Sequence, residues 1–137
     1  LMINASFIAK SAGKSMGLFS RRAIGNQYES LAKAYLQRQG LRFIEANFTT
    51  KVGEIDLIFK EAQTIVFVEV KYRKNSCYGD AAEMVNPAKA NKLIKTAYLW
   101  LNKHGYNACN TAMRFDVVAI HSNGQDINWI ANAITQG

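Results

Sequence analysis

Two carboxylates and an amine stand where they could do chemistry together: Asp56, then Glu69 and Lys71 with one residue between them. The segments that carry them, 54–60 (EIDLIFK) and 64–73 (TIVFVEVKYR), alternate apolar and polar and are rich in β-branched and aromatic residues, which predicts two strands of a hairpin. With Ala62 and Gln63 as the loop, Glu61 pairs with Thr64. Counting outward, Asp56 then falls opposite Glu69 and Glu54 opposite Lys71. Directly opposed residues share a face, so this register gathers three acids and an amine on one patch. It sends Ile55, Leu57, Val68 and Val70 to the other face, toward the core. Ala-Gln lacks the Gly or Asn that two-residue loops prefer, but a longer loop of the same parity keeps the pairing.

Adjacent carboxylates repel, and a hard divalent cation, Mg²⁺ or Mn²⁺, relieves the repulsion through oxygen ligands. Such an ion acidifies a bound water and neutralises charge developing on a phosphate. A nearby lysine orients that water or stabilises the transition state. The candidate metal ligands are Asp56, Glu69 and the Val70 carbonyl, with Glu54 as a further candidate. The bland alternative is the solvated face of an antiparallel sheet. Glu54 and Lys71 would then be a cross-strand ion pair worth on the order of a few tenths of a kcal/mol. Against it, aspartate is disfavoured in mid-strand.

The elements that must position these residues follow from periodicity. Residues 22–39 carry Ile24, Tyr28, Leu31, Ala32, Tyr35 and Leu36 at helical spacing, with Gly40 as the stop. Glu29 lies beside that apolar stripe, where a carboxylate is either rim or held for a purpose. Residues 41–49 predict a strand with an irregular exit, since Ile44 and Phe48 break the alternation. A loop over 74–83 contains Gly79. Asn86-Pro87 marks a helix start, and that helix runs to about Lys103 before Gly105. Its Leu93, Ile94, Ala97, Trp100 and Leu101 form an apolar side. Lys89, Lys92 and Lys95 form a basic one. Residues 112–121 predict a strand, Asn123-Gly124 a turn, and 126–131 a final short strand. The sum is α/β: a mixed sheet whose central hairpin is antiparallel, flanked by helices. The helical crossover predicts that strands 64–73 and 112–120 run parallel.

The 137 residues fit one domain. Lys and Arg number 17 against 10 acids, a formal charge of +7 that favours a polyanionic partner, nucleic acid before an anionic membrane surface, or else only solubilises. Arg73, Lys74, Lys89 and Lys92 are candidate phosphate contacts; the bland reading is a solvated helix face. Cys77 and Cys109 make no metal-ligand spacing with His104 or His121, and suit a reducing compartment. No apolar run approaches the roughly 18–20 residues that span a bilayer, so a cytoplasmic protein is expected. Residues 1–18 are basic and acid-free, and read as a flexible segment or an extension ahead of a true start at Met2 or Met16. They do not form a secretory signal, because Lys10 interrupts the apolar start; a transit peptide is a minor alternative. The single domain is expected over 19–137. Arg114 and Asp116, two apart on one face of a strand, read as a structural ion pair ahead of a phosphate contact. Trp100 reads as core, Trp129 as cover for a sheet edge, and His104 as a charge partner for a helix C-terminus. Tyr72 and Tyr78 are candidates for stacking on bases.

Asp56 followed by Glu69-Val70-Lys71 resembles the PD-(D/E)xK motif of restriction-endonuclease-like nucleases and Holliday junction resolvases. More closely, the chain resembles the YraN-type family of uncharacterised predicted endonucleases. The segments that carry this are Gly25-Asn26-Gln27-Tyr28-Glu29 with Ala32 and Leu36, Asn47, Gly53–Ile58, Phe67–Arg73, Lys89 and Arg114–Val117, over about residues 22–120. The resemblance implies a restriction-endonuclease-like fold and a Mg²⁺- or Mn²⁺-dependent endonuclease acting on DNA, branched or flapped DNA included. It implies Asp56 and Glu69 as metal ligands, Lys71 as the catalytic lysine and Glu29 as the first-helix acid of related resolvases. Resolvase-like relatives often dimerise, so a homodimer is a further expectation. Thr49 and Thr50 stand where relatives often carry Arg, and the hairpin turn lacks its usual Gly. Two other classes stay open: a non-catalytic nucleic-acid-binding protein that keeps the nuclease fold, and an interaction protein whose acidic patch is an ion-pair cluster.

Overall fold

The computed structural model describes residues 18–73, 86–121 and 124–134. The expected N-terminal segment, the 74–83 loop with Lys74 and Tyr78, Cys77, and Asn123 of the predicted turn lie wholly or mostly outside these. Among the described residues two helices and five strands are present: α1 (Leu18–Arg38), β1 (Arg42–Thr49), β2 (Glu54–Glu61), β3 (Thr64–Arg73), α2 (Pro87–Lys103), β4 (Met113–His121) and β5 (Asp126–Ile134). The strands form one mixed sheet in the order β1-β2-β3-β4-β5. Only β3 and β4 run parallel, and the chain between them passes through α2, as the crossover predicts.

Helix ends are set by local chemistry. α1 starts four residues before the predicted position and stops as expected at Gly40, whose φ of 101° only glycine adopts freely. The amides of Gly40 and Leu41 return to the carbonyls of Gln37 and Leu36 at 3.0 and 3.1 Å, a Schellman closure with Leu41 buried beside Leu36. The Asn86 side chain caps α2 by accepting from the Lys89 amide at 2.8 Å, with Pro87 in the first turn. α2 closes in the same way: Gly105 and Tyr106 return to Asn102 and Leu101.

Each face of the sheet is covered by one helix. α1 lays Tyr28, Leu31, Ala32 and Leu36 on Leu57, Phe59, Val66, Val68, Val118 and Ile120. α2 lays Leu93, Ala97, Trp100 and Leu101 on Ile55, Ile58, Ile65, Phe67 and Phe115. Strands covered on both sides have no wet face, which is why β3 and β4 read as nearly continuous apolar runs. The face of β3 that carries Glu69 is therefore not a solvated one: Glu69 is 6% exposed. Trp100 is core, as expected, and its indole N–H donates to Glu45 at 3.0 Å. β5 is longer than the 126–131 predicted.

The hairpin keeps the expected register from Glu61↔Thr64 to Leu57↔Val68, with Ala62 at φ 53° in the two-residue loop. Beyond Val68 the ladder ends. Asp56↔Glu69 and Glu54↔Lys71 are not ladder pairs, which corrects the sequence reading. The strict alternation also fails here. Ile55 packs on the α2 side while Leu57 packs on the α1 side. On β1, Asn47 takes a left-handed φ of 56°, a conformation asparagine tolerates better than most residues. A bulge between Phe43 and Glu45 accounts for the break in alternation at Ile44.

Candidate functional site

The end of the β2–β3 ladder makes the site. Where the strands part, the Val70 amide loses a ladder partner, and the Asp56 carboxylate takes its place at 2.8 Å. In an extended strand a residue's N–H and C=O point to the same side, so the Val70 carbonyl lies on the edge that Asp56 approaches. Around this point a concave cleft of about 450 Å³ is lined by Glu29 and Tyr28 of α1, Asp56 of β2, Glu69 and Lys71 of β3, and Lys89 of α2. Three layers of the fold thus converge on one place, at the C-terminal end of β3.

The electrostatics are unbalanced. Burial pushes the Asp56 carboxyl up to about 7, and the charges of Glu69, Glu29 and Glu54 add to the rise, against the Val70 hydrogen bond that lowers it. Glu29 is also raised, first by burial and then by Glu54 and Glu69, while a hydrogen bond from Asn47 opposes this. The Glu69 Oε2 receives two ammonium groups, Lys89 at 2.6 Å and Lys71 at 3.2 Å. Burial and the neighbouring Lys89 lower the Lys71 pKa. Burial is the largest single pull on Lys89 and lowers it, but hydrogen bonds to Glu69 and Lys71 and the charges of Glu69 and Asp56 together outweigh it and raise that amine. Of the two neighbouring amines, the more buried Lys71 is the one whose charged form is disfavoured.

Among the described residues, no three His, Cys, Asp or Glu side chains stand ready-made around a single ion point. The donor chemistry nevertheless fits a hard cation. It is all oxygen, and a carboxyl raised by burial and by its acidic neighbours is one whose ionised form a cation would favour. The residues that would hold such an ion are Asp56 and Glu69, with the Val70 carbonyl as a third donor.

The predicted site residues divide clearly. Glu29, Asp56, Glu69, Lys71 and Lys89 meet at the cleft. Glu54 does not line it. With Gly53 and Lys92 it lines an adjoining groove of about 320 Å³, because the ladder that would have brought it beside Lys71 has ended. A Cβ on Gly53 would stand 3.0 Å from the Thr96 hydroxyl, so glycine lets the β1–β2 turn approach α2 there. Thr50 builds that turn: its hydroxyl accepts from the Val52 and Gly53 amides. Arg73 ends β3 beside His121 of β4. Tyr72 has one ring face stacked on Tyr28 at 4.1 Å, which leaves that face unavailable to a base.

Sequence reasoning missed two contacts. Asn47, which carried part of the resemblance, is the partner of Glu29, and its signal is a polar residue interrupting an apolar strand. The sequence offers Lys89 as a phosphate contact or part of a solvated helix face, and no local pattern points it at Glu69. The Arg114–Asp116 pair is structural, as read: Asp116 is 1% exposed and accepts from Arg114 Nε, the Trp129 indole at 2.9 Å and the Asn132 amide at 2.8 Å. Trp129 thereby ties β5 to β4. Among the described residues, no helix is long and apolar enough to cross a membrane.

Comparison with known proteins places this architecture among relatives. A UPF0102 protein of Vibrio vulnificus strain YJ016 is 98% identical over 122 residues, 89% of this chain and 100% of the relative. UPF0102 proteins of Vibrio campbellii and Vibrio cholerae are 68% and 46% identical, each over 89% of this chain and 100% of the relative. The family pattern matches residues 28–120, from Tyr28 at the cleft to the end of β4, and the chain belongs to the uncharacterised protein family UPF0102.

Proposed function

We propose that this protein is a metal-dependent nuclease of the restriction-endonuclease-like PD-(D/E)xK superfamily, hydrolysing phosphodiester bonds in DNA. One observation carries the reading. Asp56, Glu69 and Lys71 meet in an open cleft with a surplus of acid, and Asp56 is pushed up to about 7 by burial and by its acidic neighbours. A Mg²⁺ or Mn²⁺ ion held by Asp56, Glu69 and the Val70 carbonyl would supply an activated water and neutralise charge on the phosphate. The chain's own groups do the rest. Lys71, its amine lowered by burial, sits beside Glu69 where it can hold or accept a proton from the attacking water. Glu29, raised by burial and held by a hydrogen bond from Asn47, lines the cleft from α1. The net charge of +7 draws the polyanion in.

The ion pairs of Glu69 with Lys71 and Lys89 favour a second reading, an ion-pair cluster without turnover. A cluster of that kind would balance its charges. Here Asp56 faces three acids, and its hydrogen bond to the Val70 amide does not offset them.

The test is cleavage of linear, flapped and four-way DNA with Mg²⁺ or Mn²⁺, comparing wild type with Glu69→Ala and Lys71→Ala. The expected result is metal-dependent cleavage that falls by about 10² or more in each variant. Cleavage that survives both substitutions belongs to another site or a contaminant, and removes the reading. Absence of Mn²⁺ binding dependent on Asp56 and Glu69 removes it as well.

A further inference from the structure

Lys89 stands out among the lysines because it belongs to two places at once. Its Nζ is 2.6 Å from Glu69 Oε2, inside the cleft. Among the described residues, it is also the one that lines both the cleft and the adjoining groove that holds Lys92. Its backbone is fixed, because its amide donates to the Asn86 cap at 2.8 Å. Its side chain is not fixed in the same way: it is 40% exposed, long, and held at its tip by one carboxylate. The oxygen it holds is the one that Lys71 also approaches, at 3.2 Å. Glu69 Oε2 is thus already met by two amines at the place a divalent ion would take.

A divalent ion and the Lys89 ammonium cannot both hold this carboxylate closely, since like charges in a half-buried site repel strongly. The displaced amine has a short way to go. A rotation about its own side-chain bonds would carry it from the cleft into the groove, which Lys92 and Glu54 also line.

We infer that Lys89 is a tethered cation that holds the metal's place on Glu69 and, when a divalent ion binds, turns into the Lys92 groove to grip a substrate phosphate. This rests on the nuclease reading above and adds a residue with two alternating partners. It also couples the two ligands: the ion frees Lys89 for DNA, and DNA, by drawing Lys89 away, opens Glu69 to the ion. Such coupling is reciprocal by thermodynamic necessity.

The test is Mn²⁺ titration calorimetry on the metal-free protein, with Lys89→Met, Lys89→Gln and, as a control, Lys95→Met on the same helix. Removing the competitor is expected to tighten Mn²⁺ binding by about tenfold in both Lys89 variants, the scale of one charge-assisted contact. The control is expected to stay within about twofold, since an exposed lysine away from the carboxylate acts only through a screened field. A second arm measures duplex DNA binding by fluorescence anisotropy, with Ca²⁺ or with EDTA. Wild type is expected to bind DNA more tightly with the ion, by a factor the Lys89 variants lose. Mn²⁺ binding unchanged or weakened in the Lys89 variants overturns the inference and leaves the nuclease reading standing. Equal tightening in Lys95→Met also overturns it, because the effect is then the general field. Failure of wild type and the Lys89 variants alike to bind Mn²⁺ removes the nuclease reading, and this inference with it.

Discussion

Asp56→Asn should stabilise the metal-free protein at neutral and alkaline pH while abolishing its response to metal. The Asp56 carboxyl is pushed from 3.8 to about 7, by burial first and then by Glu69, Glu29 and Glu54. Because the folded value lies above the unfolded one, folded protein binds more protons than unfolded between these limits. Stability contributed by this group is therefore full below about pH 4 and is lost as pH rises through about 7. A gap from 3.8 to about 7, at about 1.4 kcal/mol per pH unit, gives an upper bound of about 4 kcal/mol. The cleft is open to solvent and the acids share the repulsion, so a difference on the order of 2 kcal/mol is expected at pH 8. Asparagine keeps an oxygen to accept from the Val70 amide and removes the charge. Urea denaturation in EDTA from pH 4 to pH 8.5 measures the effect: the variant should match wild type at the acid end and exceed it progressively above pH 5. Adding Mn²⁺ should raise wild-type stability with ion concentration and leave the variant unchanged. A variant less stable than wild type at pH 8, or a difference that does not grow with pH, would refute the reasoning.

Three further substitutions test the frame that holds the site. Asp116→Ala strips the buried acceptor from Arg114, the Trp129 indole and the Asn132 amide, and should cost about 3–5 kcal/mol in chemical denaturation. A loss below about 1 kcal/mol would mean that β5 does not depend on this carboxylate. Gly124→Ala places a Cβ 3.0 Å from Leu31 Cδ1 at a φ of +92°, so thermal unfolding should show a loss of about 1–3 kcal/mol. Asn86→Ala removes the α2 cap and should cost about 1 kcal/mol. It should also speed hydrogen exchange at the Lys89 amide, which loses its acceptor; unchanged exchange there would argue against the cap.

What was legible in the sequence was what local chemistry decides. Gly40, Gly105 and the Asn86-Pro87 pair each end or begin a helix through their own backbone preferences, and the helices stop or start there. The hairpin register was legible from Glu61 to Leu57 because only one parity buries both apolar rows. It failed at Asp56, where a side chain replaces a backbone partner and a left-handed Asn47 lies on the neighbouring strand. A period-2 reading has no means of representing either event, so it kept Ile55 beside Leu57 when the structure sends them to opposite layers. Glu29 was legible only as an anomaly, a carboxylate next to an apolar stripe. The Lys89–Glu69 contact joins residues from α2 and β3, and the 89, 92, 95 spacing points only to a basic helix face.

These failures cluster. Local rules broke at Asp56, Asn47, Glu29 and Lys89, around one cleft, and held at the helix ends and through most of β2 and β3. Asp116 shows that this is not incapacity of the fold. That carboxylate is buried more deeply than Asp56, yet it receives a guanidinium, an indole N–H and a backbone amide. Asp56 receives one amide and faces three acids. A chain that satisfies one buried carboxylate so fully and leaves another short of positive charge has its deficit confined to a concave, accessible place. Misfit of that kind costs stability wherever it is not relieved, and the cation proposed for this cleft would relieve it.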